Sequence, residues 1–70
     1  MIPLIFAGLG EEQIIRKISG NTEVKHHLEN LGFTVGGTVT VMNSLGGNVI
    51  VKVKESRIAI NEEMARHIMI

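Results

Sequence analysis

Cysteine, tryptophan and tyrosine are absent from this chain of 70 residues, and proline occurs once. Without cysteine there is no disulfide to staple a small fold and no thiolate to hold a metal. Phe6 and Phe33 are the only aromatics, so the core has to be built from aliphatic side chains. The same scarcity removes the stacking platforms of single-strand nucleic-acid binders and the aromatic lining that recognises proline-rich peptides. Neither sign of charge is in excess, since seven basic and seven acidic residues balance. Proteins that depend on phosphate contacts carry a basic surplus, so nucleic acid is not expected as a partner. No apolar run approaches the roughly 20 residues of a membrane span. The apolar start, Met1 to Ala7, is short and lacks the positive beginning of a secretory leader. A cytoplasmic protein is the expectation.

Catalytic patterns are missing as well. The Gly-Gly pairs at 36–37 and 46–47 are not followed by Lys-Ser/Thr or by a helix start, so they do not form a phosphate loop. Glu11-Glu12 and Glu62-Glu63 are adjacent only in sequence, with no nucleophile and histidine arranged around them. Such pairs act as acid and base only in a pocket that shifts their protonation. They read as solvated turn charges, and no enzyme is expected.

What is present is regular patterning. Leu28-Glu-Asn-Leu-Gly-Phe-Thr-Val-Gly-Gly-Thr38 reads as a last helical turn, a glycine stop, a buried aromatic, a tight turn and a strand start. Upstream, Val24, Leu28 and Leu31 recur at i, i+4 and i+7, the stripe of a helix over Thr22–Leu31. Asn21 or Thr22 is placed to cap it, and Lys25 with Glu29 is spaced for an i,i+4 pair. Gln13 to Ile18 reads as a strand with Ile14 and Ile18 on one face, Ile15 and Lys17 on the other. Residues 1–10 read as a strand or short turn that closes the fold.

Thr38 to Asn43 alternates with Val39 and Val41 inward, Ser44-Leu-Gly-Gly47 is a hairpin loop, and Val49, Val51 and Val53 share a face. Glu55-Ser56 turns the chain into Arg57 to Ile60. Asn61 to Ala65 looks like one capped helical turn, and His67 to Ile70 like a last strand. The expected fold is mainly β with one short helix, a small SH3-like β-barrel, as one domain over 1–70. A core of this size leaves little spare stability, so docking to a partner or to a second copy, as a homo-dimer, is a natural supplement.

The order of these elements, with three local stretches, resembles the FeoA family of bacterial ferrous iron transport. Leu28 to Gly37 is similar to the family's Leu-x-x-Leu/Met-Gly-Phe/Ile-x-Pro-Gly, and Val39 to Val53 resembles its hairpin. Arg57-Ile-Ala-Ile60 followed by Asn61-Glu-Glu-Met-Ala65 resembles its Arg-hydrophobic-Ala-Leu-Arg stretch and acidic turn. Val35 departs from the usual proline, and Asn61 stands where a basic residue is frequent. The resemblance spans residues 12–70. It implies an SH3-like barrel and an accessory role toward FeoB, the membrane transporter of ferrous iron whose cytoplasmic part carries a GTPase. Similar barrels end some metal-dependent repressors, and pairing with a DNA-binding protein is an alternative role.

A second alternative is a metal-responsive sensor that uses His26, His27 and His67, since imidazole binds transition metals such as iron. Consecutive helical residues diverge by about 100°, so His26 and His27 do not aim at one ion. These histidines are weak metal candidates, and no cofactor is expected. Surface is the remaining resource. Leu9 between glycines, Leu45 at a hairpin tip and Ile50 on an outer strand face are the candidate partner contacts.

Overall fold

A computed structural model describes residues 1–70. A 3-10 turn at Leu4–Phe6 precedes strands β1 (Glu12–Ile14) and β2 (Lys17–Ile18), helix α1 (Thr22–Leu31) and strands β3 (Thr38–Leu45), β4 (Asn48–Val53) and β5 (Ser56–Asn61). One short helix α2 (Glu62–Ala65) and strand β6 (Ile68–Met69) follow. The expected mainly-β architecture with one principal helix is present. Its hydrogen-bond ladder is open, however: an antiparallel sheet in the order β1-β3-β4-β5 and a separate β2-β6 ribbon, not one closed cylinder.

Helix α1 has the bounds its sequence pattern predicts. The Asn21 side chain accepts from the Val24 amide at 2.9 Å, satisfying one of the free donors of the first turn. At the other end Gly32 takes φ 108°. Its amide donates to the Glu29 carbonyl, and that of Phe33 to the Leu28 carbonyl. This is a Schellman arrangement, and it throws Phe33 back onto Leu28; both are fully buried. Of the predicted stripe only Leu28 is fully covered, while Val24 and Leu31 pack at the margin of the core. Asn21→Ala is expected to cost about 1 kcal/mol. In a domain of this size that lowers Tm by roughly 4–8 °C, read by thermal denaturation followed by circular dichroism.

One buried core joins the inner face of the sheet to α1, α2 and the β2–β6 ribbon. Val39, Val41, Val49, Val51, Val53 and Ile60 come from the sheet's inner face, against Leu28 and Phe33 from the helix and its exit. Ile15, Ile68 and Ile70 complete it from the ribbon side, with Leu4 and Ala65.

Several local expectations are refined. The Gln13–Ile18 strand is broken at Ile15-Arg16, because Ile15 is bound through both its amide and its carbonyl to the 36–37 turn. Ile15 is buried and Ile14 half exposed. Of the two readings for residues 1–10 the short turn is the one present, Leu4–Phe6, tied in by a bridge from Pro3 to Met69, and it leaves Phe6 67% exposed. The hairpin loop is two residues, Gly46 and Gly47 at φ 57° and 83°, since β3 runs on to Leu45. The next turn is Lys54-Glu55, one residue earlier than read, and His67 sits in the turn before β6.

Candidate functional site

A β-bulge decides what the protein shows on the outer face of its sheet. Val39 and Val41 of β3 point inward, and unbroken alternation would carry Asn43 and Leu45 inward too. Between Val41 and Asn43 the register shifts: Val41 pairs with Val51, but Asn43 pairs with Ile50 and Leu45 with Asn48. Met42 is the extra residue. Asn43 and Leu45 thereby move to the face of Ile50. Leu45 becomes the diagonal cross-strand neighbour of Ile50, a separation that long side chains bridge. Leu45 is 69% exposed and Ile50 half-buried.

Leu9 arrives from the other side. The Gly10 amide donates to the Val41 carbonyl at 2.8 Å, which sets the Leu9 turn beside the bulge. Leu9 is 63% exposed. The three candidates Leu9, Leu45 and Ile50 therefore surround one bulge. Exposed Phe6 comes three residues before Leu9, in an apolar start whose sequence pattern does not separate a core strand from a surface turn.

The histidines do not converge. His26 and His27 are exposed on consecutive positions of α1. His67 is half-buried, with its Nδ1 3.2 Å from the Ser19 hydroxyl oxygen, so it fastens β2 to the turn before β6. Three or more His, Asp or Glu side chains gather nowhere in a geometry suited to a metal ion. Glu62 accepts a long ion pair from Arg66, at 3.9 Å, within the α2 turn. The expected Lys25–Glu29 pair does not form.

A second feature lies where β2, α1 and the 34–36 turn meet. An open groove of about 410 Å³ runs between Arg16 and Lys17 on one side and Lys25 and Glu29 of α1 on the other. Thr34, Val35 and Ile18 complete its lining. No sequence motif announces it, because its walls come from three separate stretches.

No helix is long and apolar enough to cross a membrane. The FeoA domain family matches residues 2–70. A protein of Methanocaldococcus jannaschii named for Fe(2+) transport (protein A) is 37% identical over 70 residues, covering all of this chain and 85% of that protein. The crystal structure of an iron uptake regulatory protein (FeoA) superposes with a TM-score of 0.87 at 31% identity, over 96% of this chain and 89% of the other. FeoA of Stenotrophomonas maltophilia, crystallised with zinc and described as an SH3 domain protein, superposes with a TM-score of 0.84. There the identity is 20%, over 99% of this chain and 88% of that one, a likeness of fold.

Proposed function

We propose, from the premise that this chain belongs to the FeoA domain family, that it is a non-enzymatic accessory protein of ferrous iron uptake. It works as one cytoplasmic domain and binds the cytoplasmic, GTPase-bearing part of an FeoB-type membrane transporter. The family and the name of the archaeal relative support the transport role. The observation that carries the binding role is the bulge at Met42, which turns Leu45 out of the core and sets it beside Ile50. Exposing a large apolar side chain on a small domain wastes burial that the fold could use. The loss makes sense where a partner covers the site.

The test is an amide-resolved NMR titration of the labelled chain with the transporter's GTPase domain, free, GDP-loaded and loaded with a GTP analogue. Saturable shifts are expected around Leu9, Leu45 and Ile50. Leu45→Asp is expected to weaken binding by about tenfold or more, the loss typical of a central apolar contact. Absence of shifts in every nucleotide state overturns the reading. Self-association is the competing use of this face, and shifts that depend on the concentration of the chain alone would reveal it.

A further inference from the structure

The groove between β2 and α1 concentrates charge in a chain that has none to spare. Three of the seven basic residues line it, Arg16, Lys17 and Lys25, against one of the seven acidic ones, Glu29. All three cations are exposed, and none has a carboxylate within ion-pair distance, since the one ion pair of the chain is Arg66–Glu62. Three like charges with a single counter-charge among them repel one another. Nothing in the packing of the fold requires that placement, so a negative ligand is the natural complement.

The form of the anion follows from the backbone. Compact phosphates are held by convergent free amides at a helix start or a glycine-rich turn. Around this groove most of those amides are occupied: Arg16 donates to Met69, Lys25 to Asn21, and Gly36 to Ile15, while those of Thr34 and Val35 have no backbone acceptor. The larger part of the lining is an arc of long side chains that spans two elements, beside the exposed Val35 and the half-buried Ile18. Separated point charges next to apolar surface suit several carboxylates in an extended chain with an apolar residue among them. We infer that the groove is the docking site for a short acidic peptide segment of the protein partner. This rests on the partner-binding reading above and adds a second contact, away from the bulge.

The probe is a synthetic peptide, Glu-Asp-Leu-Glu-Glu-Asp with blocked ends, with its Gln/Asn counterpart and inorganic phosphate as separate arms. The acidic peptide is expected to shift the amides of Arg16, Lys17, Lys25 and Val35 saturably, and to release in about 1 M salt, where charges are screened beyond about 3 Å. Lys17→Glu with Lys25→Glu is expected to weaken it by about tenfold or more, as reversal of paired interface charges does. Lys25→Gln gives a smaller loss, and Leu45→Asp gives none. Equal shifts from phosphate or from the neutral peptide overturn the inference, as does binding that survives both charge reversals in a chain whose remaining amides are unmoved. If the transporter domain shifts the Leu45 region but is indifferent to Lys17→Glu with Lys25→Glu, the groove inference falls and the partner reading stands. If the domain is silent while the acidic peptide fills the groove, the transporter reading falls and the groove takes its acidic segment from a different protein.

Discussion

Phe33→Ala is expected to take away most of the stability of this protein. Phe33 is fully buried and is the largest such side chain in the core. Truncating a buried phenylalanine costs about 3–5 kcal/mol, because the lost transfer energy is joined by a cavity that the surroundings fill only in part. A domain of this length holds roughly 4–10 kcal/mol in total. Repacking has few resources here, since the core is largely β-branched, five valines and four isoleucines with stiff χ1 angles, and the other aromatic, Phe6, is exposed. The second consequence is local. Phe33 follows Gly32 in the turn that ends α1, and its contact with Leu28 holds that turn shut. With a urea m-value of about 1 kcal/mol/M, the unfolding midpoint should fall by roughly 3 M or more. A midpoint within about 1 M of the parent would mean that Phe33 is not the plug of the core.

The same residue marks how far the chain can be read unfolded. Phe33 and α1 were legible because their signals are local: a cap at Asn21, a stripe, a glycine at C′, all within one stretch. The valines of β3 and β4 were legible for the same reason, as period-two alternation survives wherever one face is buried. The failures share a physical cause, which is contact with residues far along the chain. Ile15 is the buried residue of its segment because the 36–37 turn binds both its backbone groups, and alternation within Gln13–Ile18 carries no trace of that turn. The bulge at Met42 is likewise invisible in a run that alternates cleanly on either side. It reverses the facing of Leu45, and so it converts a hairpin-tip guess into a placed neighbour of Ile50. The basic groove was hidden twice over. Its cations lie in two stretches, and an overall charge of zero gives no hint that the positive part is gathered in one place.

Two glycines allow conformation and space to be separated. Gly20 and Gly32 bracket α1 and adopt nearly the same left-handed backbone, φ 104° and 108°. A side chain at either position pays about 1–2 kcal/mol for that conformation. Their surroundings differ. At Gly32 an added Cβ would meet Lys54 Cδ at 3.7 Å and Val53 Cγ1 at 3.8 Å, ordinary contact distances. At Gly20 it would lie 3.0 Å from Val24 Cγ1 and 3.2 Å from both Val24 Cβ and His67 Nδ1. Val24 has little freedom to turn aside, because a valine in a helix is confined to one χ1 rotamer. His67 is held by Ser19. Relief therefore requires the first turn of α1 to shift away from the β2–β6 ribbon, at an overpacking cost of about 1–3 kcal/mol.

Gly32→Ala is accordingly expected to lose about 1–2 kcal/mol and Gly20→Ala about 2–5 kcal/mol, measured by urea denaturation of both variants at one temperature. Equal losses would mean that the α1 start yields freely and that its position over the ribbon is not fixed by packing. A clearly larger loss at Gly20 would identify the contact of Val24 and His67 with this turn as what sets the helix against β2. Lys25 is the next residue of that helix, and Arg16 and Lys17 lie on the other wall of the groove. The packing around Gly20 would then also fix the spacing of the three cations.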